Sequence, residues 1–118
     1  MATSQNQTLV TLYKSLCAQQ DALSSAIQKA TDANVADAIS TENYEVMHRI
    51  VLVQNLLFQA DSPELQASVK AVKDASGQLE SAIANIQRVT DFINGVSSYL
   101  ELVDKAIDLA KTLAPLAA

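Results

Sequence analysis

The segment from Tyr44 to Phe58, with the sequence YEVMHRIVLVQNLLF, is apolar on two sides when it is placed on a helix. At about 100° per residue, one side of that helix collects Val46, Met47, Ile50, Val53 and Leu57. Leu52 and Leu56 fall on another side, among charged and polar residues. A helix that is apolar on two sides must be covered on two sides. The segment therefore predicts contact with neighbouring helices, with another chain or with an apolar ligand.

The rest of the chain also favours helix over other regular structure. Glycine and proline occur only twice each in 118 residues, so an all-β or loop-rich fold has almost no turn material. Alanine, leucine, glutamine, lysine and glutamate, which favour helix, are plentiful. Aromatic residues make up only 4% of the chain, so the core must be built from aliphatic side chains. We therefore predict a single all-α domain that spans residues 1–118.

Two helices are predicted in the first half of the chain. The first runs from about Ser4 to Ala30, and its apolar stripe consists of Leu9, Leu12, Leu16, Leu23 and Ile27. Asp32 is the predicted N-cap of the second helix. We favour a continuous second helix from about Ala33 to Ala60, because its stripe keeps one phase throughout. The alternative is a shorter helix that begins near Glu42, behind a cap at residues 40–41.

The clearest boundary in the chain is the sequence Asp-Ser-Pro-Glu at residues 61–64. Asp61 or Ser62 is the predicted N-cap of a third helix, and Pro63 occupies its first position, where the missing N–H costs nothing. We predict that this helix runs from Pro63 to about Ile93. Gly77 lies inside it and is expected to permit the close approach of a neighbouring helix.

A second boundary is predicted at Asn94-Gly95, where Gly95 suits a left-handed C-cap. A fourth helix is then expected from about Val96 to Leu113. The alternative is that the third and fourth helices form one long rod with a bend at Gly95.

Short connections between these helices predict antiparallel neighbours. The predicted fold is an all-α, antiparallel up-and-down helical bundle of three long helices plus a shorter C-terminal fourth helix. An elongated helical hairpin that dimerises is the alternative. The near-heptad spacing of the third helix adds a coiled-coil character to the predicted packing.

The charge of the chain is acidic and evenly spread, which limits the kinds of partner it can have. The formal net charge is −5, with no run of lysine or arginine. Nucleic-acid binding depends on neutralising phosphates, so no nucleic-acid partner is expected. Attraction to anionic lipid surfaces is disfavoured for the same reason, so a membrane partner is an open alternative that we do not favour.

Residues that could carry chemistry are scarce. The chain has one cysteine, Cys17, and one histidine, His48. A single cysteine excludes an internal disulfide, and a single histidine leaves a zinc site or a Ser-His-Asp triad without a supporting motif. Cys17 is expected to be a small buried hydrophobe and His48 a partly exposed helix residue. We predict no catalytic residue, no cofactor and no metal, and a small enzyme using Tyr13, Cys17 or His48 is the weakest alternative.

The location of the protein is predicted from the lack of an export signal in this sequence. The first residues, MATSQNQT, carry no positive charge and precede no apolar core of signal-peptide length. The longest uninterrupted apolar run, Ile50–Val53, is far too short to span a bilayer. We expect a cytoplasmic protein, with export by a route that uses no cleaved signal as the alternative.

The surplus of apolar helix surface leads to the functional prediction. Leu52 and Leu56 are the predicted anchors of an interface, and Leu102, Leu109 and Leu113 form a second predicted patch. Contiguous apolar surface of this kind marks contact sites. The sequence therefore predicts a non-enzymatic protein–protein interaction and assembly module, either a homo-oligomer or the partner of another protein. The alternative is a membrane-active or lipid-binding helical protein, such as a secreted effector or a pore-forming component.

Overall fold

Four α-helices of nearly equal length make up most of the chain. The computed structural model describes residues 5–115. Helix α1 spans Gln7–Lys29, α2 spans Ala33–Gln54, α3 spans Pro63–Ala84 and α4 spans Val89–Lys111. The described residues contain no β-strand, and the predicted all-α class is confirmed. The predicted start of the first helix at Ser4 lies outside the described residues.

The helices pack side by side around an aliphatic core. Helix α1 packs against α2 and α3, and α4 packs against α3 and α2. The molecule measures 50 × 24 × 18 Å, so it is elongated along helices that are each about 33 Å long. The most completely buried core side chains include Leu9, Leu12, Leu16, Leu23, Ile39, Val46, Val53, Leu65, Val72, Val96 and Val103.

Hydrogen bonds tie separate segments of the chain together at one end of the molecule. The backbone N–H of Asn6 donates to the carbonyl oxygen of Leu57 at 2.7 Å, and its side-chain amide donates to the carbonyl oxygen of Gln59 at 3.0 Å. The N–H of Ala60 donates to the carbonyl oxygen of Ala114 at 2.7 Å. The connection between α2 and α3 is therefore held by both the N-terminal and the C-terminal segments.

Helix α2 is continuous, as the constant phase of its stripe predicted. Asp32 is its N-cap, because the carboxylate Oδ1 accepts from the N–H groups of Asn34 at 2.7 Å and Val35 at 3.3 Å. The helix ends at Gln54 and not at Ala60. It ends early because backbone groups of residues 57–60 bond to the chain's terminal segments instead of extending the helix.

Helix α3 begins at Pro63, as predicted. Ser62 is the cap that the structure uses, since its Oγ accepts from the N–H of Leu65 at 3.1 Å. Pro63 lies in the first turn, where no N–H is needed. Glu64 lies in the same turn and complements the positive end of the helix dipole.

The predicted boundary between the last two helices is wrong. Helix α3 ends at Ala84, residues 85–88 form the connection, and Gly95 lies inside α4 without a left-handed backbone. Helix α4 has 23 residues, as many as α1, so the prediction of three long helices and a shorter fourth is also wrong. The alternative of one rod bent at Gly95 fails because the chain breaks ten residues earlier.

The apolar stripe changes phase between α3 and α4. Buried positions in α3 repeat at steps of four and three from Leu65 to Val72, and this rhythm would continue to Ile93. The buried positions of α4 begin instead with Phe92 and Val96, one residue earlier, and Ile93 is 38% exposed. One residue corresponds to about 100° of rotation around a helix. A single uninterrupted helix would therefore not bury both sets of positions on one face, and the chain is interrupted at residues 85–88.

Candidate interface on the second helix

Buried side chains on one side of α2 determine which of its residues face outward. Ile39, Val46, Ile50 and Val53 are buried. They follow one another at steps of seven, four and three, which places them on one face of the helix. Helix α2 packs against α1 and α4. The opposite face is turned to solvent.

The outward side of α2 carries a stripe of apolar side chains. Tyr44 is 73% exposed, Met47 43%, Val51 54% and Phe58, in the turn after the helix, 48%. Tyr44, Met47 and Val51 follow at steps of three and four, so they share a face. Among the described residues, the other exposed large hydrophobic side chain is Ile93 on α4. We call Tyr44, Met47, Val51 and Phe58 the α2 stripe.

The surroundings of the α2 stripe carry almost no charge. Between residues 44 and 58, the remaining exposed positions are Glu45, His48, Gln54 and Asn55. Glu45 is the one carboxylate in this set, and it forms a salt bridge with Arg49. The exposed side of α4, in contrast, carries Asp91, Glu101, Lys105, Asp108 and Lys111. The outer face of the second half of α2 is therefore apolar and nearly neutral.

Arg49 holds α2 against α4 beside the α2 stripe. Its Nε and Nη2 donate to the two carboxylate oxygens of Asp104 at 3.0 and 3.1 Å, and its Nη1 donates to the carboxylate of Glu45. The hydrogen bond to Asp104 raises the pKa of Arg49 above its ordinary value. Burial, and then the negative charge of Glu45, raise the pKa of the nearby Glu42 carboxyl. We call these bonds of Arg49 to Asp104 and Glu45 the Arg49 fork. The fork fixes the rotation of α2 about its own axis and neutralises the charge of Glu45 next to the stripe.

The five leucines predicted as interface anchors are half-buried. Leu52, Leu56, Leu102, Leu109 and Leu113 all pack against the edge of the core. Each of them therefore already has apolar neighbours within the chain. Their part in an interface with another chain stays a prediction. The most exposed apolar surface of α2 is not at these leucines but at the α2 stripe.

Sequence reasoning missed the α2 stripe because it placed Met47 on the same side of the helix as Val46, Ile50 and Val53. Met47 follows the buried Val46 and lies about 100° away from it around the helix, on the exposed side. That assignment is wrong. The signal was present in the sequence, since Tyr44, Val51 and Phe58 repeat at seven-residue steps on a face of their own.

A polar network lies between α1, α3 and α4. The Tyr99 hydroxyl and Ser15 Oγ share a hydrogen bond of 2.7 Å, and Ser15 Oγ donates to Ser76 Oγ at 3.2 Å. The fully buried Gln19 donates from Nε2 to Ser76, while its Oε1 has no partner among the described residues. Burial raises the pKa of Tyr99 to about 12. The network therefore links three helices through uncharged groups. Because Gln19 is polar, the spacing of apolar residues in the sequence could not identify it as a core residue.

Cys17 and His48, the other candidate reactive residues, lie apart in different settings. Cys17 is half-buried at the edge of the core, and His48 is exposed on α2. Within residues 5–115, no group of three or more His, Cys, Asp or Glu side chains is placed to hold a metal ion. A cleft of about 350 Å³ opens between the ends of α1 and α3 and the start of α2, with Ala22, Ala26 and Val35 among its walls.

No protein-family model, curated protein or solved structure matches this chain. In the described region, no helix combines the length and the apolar character needed to cross a membrane. The function is therefore inferred from the geometry of α2 and its surroundings.

Proposed function

We propose that this protein is a non-enzymatic helical protein–protein interaction module that self-associates through α2 and acts in the cytoplasm. The observation that carries the proposal is the α2 stripe, a row of exposed apolar side chains in nearly neutral surroundings. Apolar surface in water is unfavourable, and contact with another apolar surface removes that cost. A row of such side chains at helical spacing suits docking against another helix.

The area of the α2 stripe matches the apolar share of a small interface. With 43–73% of four large side chains exposed, it offers on the order of 400 Å² of apolar surface, which is the size of functional patches on monomers. A standard interface takes about 800 Å² from each partner, of which somewhat more than half is apolar. The adjacent His48, Gln54 and Asn55 supply polar surface for the remainder. A second copy offers the same patch, so self-association covers both patches at once.

We also propose that the four helices form an up-and-down bundle in which successive helices are antiparallel, so that the packed pairs α1 with α3 and α2 with α4 run parallel. Thr8, in the first turn of α1, donates to the carboxylate of Asp61, just before α3, at 2.6 Å. Gln59, just after α2, donates to the carbonyl oxygen of Leu113, just after α4, at 2.7 Å. These contacts support an arrangement in which successive helices run in opposite directions. In that arrangement α2 lies at a corner of the bundle and keeps a free outer face.

A charge placed inside the α2 stripe tests the proposal. Val51→Glu puts a carboxylate at the centre of the stripe, where association would have to remove it from water. We expect the wild-type protein to associate in sedimentation equilibrium and the Val51→Glu variant to be monomeric at the same concentration. Ile93→Glu is the matched control, because it places the same charge at an exposed aliphatic position on α4. It should leave association unchanged.

Circular dichroism of both glutamate variants separates a lost interface from a lost fold. Val51 is exposed, so its replacement should leave the helix content unchanged. Equal weakening of association by Val51→Glu and Ile93→Glu would contradict a specific role for α2.

Liposome co-sedimentation separates the interaction module from the membrane-active or lipid-binding alternative. The apolar side of α4 lies in the core, where Phe92, Val96 and Val103 are buried. Between residues 44 and 58, the exposed face of α2 has no lysine or arginine to attract anionic lipid. We expect no sedimentation with anionic or zwitterionic vesicles. Vesicle binding that Val51→Glu abolishes would favour the lipid-binding alternative instead.

A further inference from the structure

We infer that α2 pairs with α2 of a second copy in antiparallel orientation, about a two-fold axis beside Val51. This inference rests on the proposed function, because it gives the geometry of the same contact. A closed two-fold dimer uses one surface twice, so that surface has to be complementary to itself. The α2 stripe meets this condition in its spacing and in its charges.

Val51 lies at the centre of the α2 stripe. Tyr44 is seven residues before it, about 10 Å away along the helix axis, and Phe58 is seven residues after it, in the turn that follows the helix. In an antiparallel pair centred on Val51, Tyr44 of each copy lies opposite Phe58 of the other. Aromatic pairs stabilise a contact beyond the area that they bury. Two such pairs would flank a central contact between the two Val51 side chains.

The polar neighbours of the stripe fit the same arrangement. At 100° per residue, His48 and Asn55 lie on one flank of the stripe and Met47 and Gln54 on the other, so His48 of each copy comes near Asn55 of the other. An imidazole and an amide can donate and accept hydrogen bonds across the contact. Met47 comes near Gln54 of the other copy, where an apolar side chain meets a polar one. No aspartate, glutamate, lysine or arginine is brought face to face at these positions.

The helix dipoles favour the antiparallel pair over a parallel one. Two antiparallel helices place the positive end of each dipole beside the negative end of the other, whereas two parallel helices place like ends together.

A distance between two spin labels tests the pairing without altering the stripe. Ser40 is exposed on α2, eleven residues before Val51, and it would be replaced by cysteine and labelled in a Cys17→Ala background. The antiparallel pair predicts a separation of about 33 Å between the two labels along the axis. A parallel pair would bring the labels to within about 15 Å, since packed helices lie about 10 Å apart. Dilution with unlabelled protein should remove the distance, because it arises between chains.

A disulfide at the predicted axis tests the register. Val51→Cys in the Cys17→Ala background should form a disulfide between two chains on mild oxidation, because the axis brings the two Cα atoms to a separation that a disulfide can span. The labelled and cysteine variants are first compared with the wild type by solution mass and circular dichroism. A dimeric mass, a label separation of about 33 Å and the disulfide together support the pairing.

Other outcomes separate this pairing from the proposed function. A dimeric mass with a short Ser40 distance, or without the Val51→Cys disulfide, overturns the pairing and leaves self-association standing. A monomeric wild-type protein with no distance between chains overturns self-association itself and the pairing with it.

Discussion

Tyr99 shows how the fold changes the chemistry of one side chain. The ring is buried, and its hydroxyl shares a hydrogen bond of 2.7 Å with Ser15. Burial disfavours the charged phenolate, and the pKa of Tyr99 therefore rises from 10.0 to about 12. The sequence placed Tyr99 on a helix but did not show which face it takes, because the phase of α4 depends on the break before it.

Stability is expected to fall as the pH rises from 10 towards 12. The pKa of Tyr99 is raised in the folded state, so its stabilising effect is complete below about pH 10 and is lost as the pH rises through about 12. By about pH 11 the wild type should have lost roughly 1 kcal/mol more than Tyr99→Phe, which has no ionisable hydroxyl. Urea unfolding at about pH 9 and about pH 11 measures the difference. Equal losses of stability in the two proteins would show that ionisation of the Tyr99 phenol does not control stability in this pH range.

Gly77 has open space where a larger residue would place its side chain. The prediction that it lets a neighbouring helix approach is wrong, since a Cβ there would meet no described atom within 4 Å. Gly77→Ala should raise the free energy of unfolding by about 0.5–1 kcal/mol, because alanine limits the unfolded chain more than glycine does. Gly95→Ala is the comparison, since its Cβ would meet Leu79 Cδ1 at an ordinary 3.9 Å. If Gly77→Ala instead lowers the stability measured by urea unfolding, Gly77 contacts a second chain.

Among the helices, local signals were readable in the sequence and long-range ones were not. The caps at Asp32 and Ser62 depend on side chains within three residues. Asp32 was predicted, and Ser62 was one of the two residues predicted to cap the third helix. The end of α2 depends on hydrogen bonds to Asn6 and Ala114, which are distant in sequence. The break after Ala84 has no glycine or proline, and Gly95 offered a stronger but misleading signal.

The candidate site was predicted only at the level of the helix. The apolar surplus of α2 was recognised from the sequence, but the predicted anchors Leu52 and Leu56 are half-buried. Which apolar side of a helix its neighbours cover depends on packing and not on the helix itself. The outward side could therefore be identified only when α1 and α4 were in place.

The Arg49 fork should couple α2 to α4 measurably. Replacing Arg49 and Asp104 by alanine, singly and together, should give a coupling energy of about 1 kcal/mol, because the pair is bidentate and half-buried. The exposed pair Lys70 and Asp74 within α3 is the control, with an expected coupling of about 0.3 kcal/mol. Urea unfolding of each set of variants measures both values. A coupling at Arg49 no larger than that of the control would mean that the fork does not hold α2 in place.

In the whole molecule, the α2 stripe lies along one side of an elongated body. It runs from Tyr44 on the helix to Phe58 in the turn after it, in a molecule that is 50 Å long. Two copies joined through it would lie side by side. Acidic groups elsewhere, with a net charge of −5 per chain, would disfavour contact through the other faces. The shape and the charge together leave α2 as the surface best suited to self-association.

The solution mass of the wild-type protein tests self-association most directly. Light scattering behind size exclusion, at a low and a high concentration, measures it without a label or a substitution. Self-association through α2 predicts a mass of twice 12.6 kDa at the higher concentration, with a shift towards the monomer on dilution. A mass of 12.6 kDa at both concentrations would contradict self-association.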